Sequence, residues 1–163
     1  MAVITATICF ATGTAVSSGM KMRILQLEKL SAMINEIEIL IRFRAMRVNE
    51  ILNELSEQET FRNFLFMNIL VEYLSNDDMN VNECWCAASK KTLFFNDCDK
   101  RILLNIGEQL GCTDIEGQLS MLALNKTLVR RNLSEAEDEF RIKGRMFRNV
   151  WGLCGIAAGI MLI

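Results

Sequence analysis

Six cysteines, twenty side-chain carboxylates and not one histidine are the chemical inventory of this 163-residue chain. The cysteines stand at Cys9, Cys84, Cys86, Cys98, Cys112 and Cys154. They form no paired C-x-x-C and have no imidazole to complete a tetrahedral set, so the spacing does not describe a zinc site. They read as thiols, mostly buried, in a reducing compartment. Without histidine there is no Ser-His-Asp or Cys-His relay, and neither a G-x-x-x-x-G-K-[ST] nor a G-x-G-x-x-G loop occurs. The carboxylates Glu36, Glu38, Glu135, Glu137 and Glu139 sit among lysines and arginines. Glu137–Arg141 and Glu139–Lys143 have the i,i+4 spacing of a solvated helix face, not of an acid/base pair. No catalytic, cofactor-binding or metal-binding residue is assigned, and a non-enzymatic protein without a small-molecule substrate is expected. A net charge of −2 argues against a nucleic-acid partner, which needs excess basic charge to displace counterions.

The elements that carry these residues read as helices throughout. Proline is absent, half the residues are hydrophobic, and charges are interleaved at helical spacing. Thr113–Ile163 organises the chain. Thr113 and Glu116 have capping-box spacing, and Gly111 can take the left-handed conformation that closes the helix before it. Apolar residues then recur at Ile115, Leu119, Leu122, Val129, Leu133, Ala136, Phe140 and Phe147, interrupted by Lys126 and Lys143. As a helix, residues 113–148 would run about 54 Å. Met22–Met46 has a matching seam at Leu27, Leu30, Ile34, Ile37 and Ile41, with Glu38 and Arg42 one turn apart. Two seams of equal period predict an antiparallel, coiled-coil-like pair. Between them, helices are expected over Val48–Leu55, Thr60–Leu74 and Val81–Ser89, the last carrying Trp85 as a packing anchor. Ser75–Asn80 reads as a loop. Asn96, with the Asp99 carboxylate three residues on, starts another helix that runs through Arg101–Leu110. The sequons at Asn125 and Asn132 fall on the long helix and read as accidental.

Both ends are apolar. Residues 1–20 carry no side-chain charge and are long enough to cross a hydrocarbon layer of about 30 Å. Ala11, Ala15 and Gly19 lie four apart, as on a helix-packing face. A cleavable signal peptide is the competing reading, but the positive n-region is missing. Residues 149–163 form the second expected span, with Gly155 and Gly159 in a G-x-x-x-G. The uncharged run Val150–Ile163 is only about 21 Å as a helix, so a greasy helix buried in a soluble core competes. Lys21, Arg23 and Lys29 follow the first run, and Arg141, Lys143, Arg145 and Arg148 precede the second. The positive-inside rule then places residues 21–148 in the cytoplasm as a helical-bundle domain with both termini outside.

Three stretches carry a family resemblance. Arg23–Arg44 resembles the first long helix of the stage III sporulation protein AB family. Leu104-Asn-Ile-Gly-Glu-Gln-Leu-Gly-Cys-Thr-Asp-Ile-Glu-Gly-Gln118 matches that family's Gly…Leu-Gly-x-[Ser/Thr]-Asp…Gln stretch, and Trp151–Ile163 its closing apolar helix. Trp85 falls where the family tends to carry a tryptophan. The chain departs from the pattern at Arg47-Val48, where a proline-leucine pair is usual. The resemblance implies an all-α fold similar to the cytoplasmic domain of type II secretion F platform proteins. It further implies a non-enzymatic platform in the mother-cell membrane around the forespore, contacting other subunits of a secretion-like channel complex, including a cytoplasmic ATPase. A membrane-anchored helical adaptor or receptor that binds soluble client proteins is the second reading. It would show a contiguous exposed apolar patch.

Overall fold

The computed structural model describes the backbone of residues 2–44, 46–75 and 80–161, and side chains within 18–143 of that range. The described residues form helices and turns without strands. In order they are α1 (Ala2–Arg44), α2 (Val48–Glu57), a single 3-10 turn (Glu59–Phe61), α3 (Leu65–Leu74), α4 (Val81–Lys91), α5 (Asp97–Gln109) and α6 (Ile115–Met161).

The two long helices are the frame. Lys21 Nζ lies 5.5 Å from the centre of the Phe140 ring, and Lys126 Nζ lies 3.3 Å from Glu38 Oε2. Residues early in α1 therefore meet residues late in α6, and the pair is antiparallel. Leu27, Leu30, Met33, Ile34, Ile37, Leu40 and Ile41 of α1 are buried, as are Leu122, Val129 and Ala136 of α6. Leu119 and Leu133 are partly buried against the same core. Lys126, an interruption of the seam by type, completes a cross-helix ion pair instead.

The short helices lie on this frame in sequence order, with α3 packed on α4, α4 on α5 and α5 on α6. Aromatic rings join the layers. Phe61, Phe64, Phe66 and Trp85 follow one another at centroid separations of 6.5, 5.7 and 4.9 Å, and the Phe66–Trp85 pair is edge-on. The indole N–H of Trp85 donates to the Leu103 carbonyl at 2.7 Å. Gly107 exists to admit that ring. A Cβ there would stand 2.1 Å from Trp85 Cδ1. Alanine at 107 would raise helix propensity by about 1 kcal/mol, but overpacking a buried ring costs about 1–3 kcal/mol. Gly107→Ala is therefore expected to lower the urea unfolding midpoint, despite being favourable in an isolated helix.

Four expectations are corrected. Thr60–Leu74 is not one helix: the chain turns at Arg62-Asn63, with Phe64 extended, before α3 begins. At 100° per residue a continuous helix would put Phe66 roughly half a turn round from Phe61 and Phe64. The break lets all three rings enter the core. Gln26, buried in α1, fixes the break by accepting the Leu65 N–H at 2.9 Å and donating to the Asn63 carbonyl at 3.0 Å. Second, α6 is capped by Asp114 and not by a Thr113–Glu116 box. The Asp114 carboxylate accepts the Gly117 N–H at 3.1 Å, and a charged acceptor suits the positive end of the helix dipole. Thr113 and Glu116 are exposed. Ile115, in the first turn, is half exposed and not part of the buried seam. Third, Arg141 pairs with Asp138, one turn back, and not with Glu137. Fourth, α2 and α4 extend beyond the expected stretches, to Glu57 and Lys91, while α5 starts at Asp97 behind the expected Asn96 cap. Residues 76–79 of the expected loop lie outside the described residues.

Candidate functional site

The polar feature that ties three elements together is centred on Asp99. Asn96 precedes α5 and its side chain accepts the Asp99 N–H at 2.8 Å, while the Asn96 N–H donates to Asp99 Oδ2 at 3.1 Å. That reciprocal cap places Asp99 in the first turn of α5, facing inward and fully buried. From α1, Arg23 Nε donates to Oδ2 at 2.8 Å and its Nη2 to Oδ1 at 3.3 Å. From α6, Asn132 Nδ2 donates to Oδ1 at 2.7 Å. The Arg23 guanidinium is held above its ordinary pKa chiefly by this hydrogen bond, which outweighs the opposing effect of burial. Both carboxylate oxygens are saturated by protein donors. The arrangement is a clasp holding α1, α5 and α6 in register, and leaves no lone pair directed at a substrate.

Beside the clasp, α5 and α6 leave an open groove of about 410 Å³. Arg101 and Arg131 stand on its rim, with Asn105, Asn125 and Asn132 between them. Asn105 Nδ2 donates to Asn125 Oδ1 at 3.2 Å, and Asn125 Nδ2 to the Met121 carbonyl at 2.9 Å. Asn125 and Asn132 are buried amides, so neither sequon presents an acceptor for a glycan. Two guanidinium groups over a floor of amides suit an acidic or carboxamide side chain of another protein.

Among the described residues no cluster of His, Cys, Asp or Glu could hold a metal ion. Cys84 and Cys86 lie on α4, Cys98 on α5 and Cys112 after it, none in a disulfide. Burial pushes the Cys84 thiol above its ordinary pKa, with the nearby Glu83 carboxylate adding to the effect. Cys98 and Cys112 are exposed. In the folded protein an aqueous maleimide is expected to modify Cys98 and Cys112 first. Cys84 should react only on unfolding, as peptide mass mapping over time would show.

The remaining sequence-derived positions fall as follows. Gly111 has φ +82° behind the end of α5, and a side chain there would also meet Val48 Cγ2 at 2.9 Å. Leu27, Leu30, Ile34, Ile37, Ile41, Leu122 and Val129 are in the core. Phe140 is partly exposed beneath Lys21. Gly19 has no described atom within 4 Å of where a Cβ would stand. The side chains of Ala11 and Ala15, and the surroundings of Gly155 and Gly159, lie outside the described residues, although α1 and α6 run through these positions. No helix among the described residues is long and apolar enough to cross a membrane. The residues whose buried polar roles were not assigned from sequence are Arg23, Asn132 and Gln26. All three are polar residues at inward positions of otherwise apolar stripes, which is the signal that could have found them.

An antiparallel pair of long helices carrying a layer of short ones, fastened by a buried ion pair, is a helical scaffold. The family model for stage III sporulation protein AB matches residues 1–163, and the chain belongs to that family. A solved structure described as stage III sporulation protein AB (SpoIIIAB) has a similar fold, with a TM-score of 0.62 at 20% identity. The match covers 74% of this chain and 97% of that one. No curated relative matches the sequence.

Proposed function

We propose that this protein is a non-enzymatic platform component of the sporulation complex between mother cell and forespore, anchored by both of its ends. The observation that carries the reading is the antiparallel register of α1 and α6. Lys21 meets Phe140, so the uncharged N-terminal run and the apolar C-terminal run leave the head at the same end. One bilayer can then accept both while the head stays on one side. With Lys21, Arg23, Lys29, Arg141 and Lys143 beside those runs, the head is cytoplasmic under the positive-inside rule. Two stiff helices sharing a packed seam would transmit position between the membrane and whatever binds the head. Other subunits of the complex, a cytoplasmic ATPase among them, are the partners proposed for it. The arginine-rimmed groove between α5 and α6 is a surface they could use.

The adaptor reading needs a contiguous apolar face on the head. The large apolar side chains exposed among the described residues are spread over α1, α3, the α4–α5 loop and α6, which favours the platform.

Two measurements test the proposal. Alkaline carbonate should leave the full chain in the membrane pellet, and an impermeant maleimide should reach exposed Cys98 only after the membrane is opened. Release by carbonate removes the anchorage. The second measurement is complementation of a strain lacking its own family member. Spore counts that are no better with this chain than without it would remove the role.

A further inference from the structure

The loop between α4 and α5 contains the one non-glycine residue with positive φ among those described: Phe94, at φ +68°. A bulky side chain in the left-handed region is disfavoured, and such strain persists where the surroundings over-determine it. Here they do. Thr92 is buried and donates its hydroxyl to the Ala88 carbonyl at 2.7 Å, Phe95 is buried, and Asn96 is committed to capping α5. Between these fixed points the chain holds Leu93 65% exposed and Phe94 42% exposed, side by side at the tip.

The position of the tip is set by the clasp. Asp99, in the first turn of α5, is joined to Arg23 of α1 and Asn132 of α6. Farther along, Asn105 meets Asn125, so α5 is antiparallel to α6 and its N-terminus points the way that α6 runs. Leu93 and Phe94 thus sit at the end of the head where Lys21 meets Phe140. That is the end from which the uncharged run of α1 departs. Next to the tip along the chain stand Lys90 and Lys91 at the close of α4, the Lys91 ammonium 5.5 Å from the Tyr73 ring, and Lys100 and Arg101 in the first turns of α5; Lys21, over Phe140, lies at the same end of the head. The exposed carboxylate among them is Asp97. On the facing turns of α6, Glu135, Asp138 and Glu139 lie within ion-pair distance of Arg131, Arg141 and Lys143.

We propose that Leu93 and Phe94 form a third membrane contact, a corner that enters the headgroup–acyl boundary of an anionic bilayer beside α1. It rests on the end-anchored reading above. An apolar pair flanked by lysines is the composition that binds such an interface, with the ammonium groups at the lipid phosphates and the side chains below them. The corner fixes the rotation of the head about its two anchoring helices, which an antiparallel pair alone leaves free.

The test uses the full chain reconstituted in vesicles containing phosphatidylglycerol, with lipids brominated either near the headgroup or deep in the acyl chain. The chain has two tryptophans, buried Trp85 and Trp151 in the C-terminal run. Leu93→Trp in a Trp151→Phe background places a reporter at the corner, with Trp85 as the unquenched reference. The expected result is a blue-shifted component that loses emission to shallow bromines and little to deep ones. Trp151 of the unsubstituted chain reports the anchorage separately. If Trp151 is quenched while the reporter at 93 keeps its emission, the corner is not in lipid and the inference falls alone. If neither is quenched, the anchorage falls and the inference with it.

Discussion

Asp99→Ala is expected to lower the free energy of unfolding by about 3–5 kcal/mol. In a chain of this length that corresponds to a fall in melting temperature on the order of 10 °C. Four donors lose their acceptor at once: Arg23 Nε and Nη2, Asn132 Nδ2 and the Asn96 N–H. The largest component is the Arg23 guanidinium, whose side chain is only 16% exposed and cannot recover full hydration in place. Its raised pKa adds no pH dependence near neutrality. A folded value above the unfolded one gives stability that is fully present below the unfolded pKa, and that is lost only as pH rises through the folded value. Differential scanning calorimetry of Asp99→Ala, Asp99→Asn and the double variant Arg23→Met/Asp99→Leu would separate the terms. Asn keeps the volume and one acceptor oxygen, so it should fall between Ala and the native residue. The double variant removes both charges and should recover the Arg23 part of the loss, the largest, while Asn132 Nδ2 and the Asn96 N–H still lack their acceptor. A single variant with a cost near zero would show the clasp to be decorative.

Trp85→Ala is expected to cost a similar amount, about 3–5 kcal/mol, for a different reason. The indole fills the space between Phe66 on α3 and Gly107 on α5, so its removal opens a cavity that a helical layer can only partly close. It also leaves the Leu103 carbonyl without the indole donor. The test is a double-mutant cycle with Gly107→Ala, followed by urea unfolding. Alanine at 107 is unfavourable beside Trp85 but has room in the Trp85→Ala background. Its effect should change sign there, from destabilising to roughly neutral or favourable. An unchanged Gly107→Ala cost in the two backgrounds would mean that the glycine serves some purpose other than admitting the ring.

Much of this architecture was legible because its cause is local or periodic. Missing prolines, stripes at Leu27–Ile41 and Leu119–Phe140, and Gly111 at a helix end each follow from neighbours within a turn or two. So does the Asn96–Asp99 cap. At Thr113 the cause is no longer local: Thr113 and Asp114 are both good caps, and a preference between adjacent residues of the same kind is decided by how the helix seats on its partner. The Thr60–Leu74 stretch failed for a related reason. Its composition is helical throughout, but burying Phe61, Phe64 and Phe66 together requires a turn, and that requirement exists only when the cavity they fill exists.

By itself, then, the sequence determined that this protein is a set of helices built on two long amphipathic ones, and that its ends differ in kind from its middle. The tertiary structure alone decided which polar residues would be joined. Arg23, Asp99 and Asn132 are 76 and 33 positions apart along the chain, and no periodicity connects them. They meet because the antiparallel packing of α1 and α6 and the return of α5 bring three helices to one level. A buried charge tolerates only the arrangement that supplies all its partners, so the pairing of these residues, unlike their inward polar positions, follows from the placement of the helices alone.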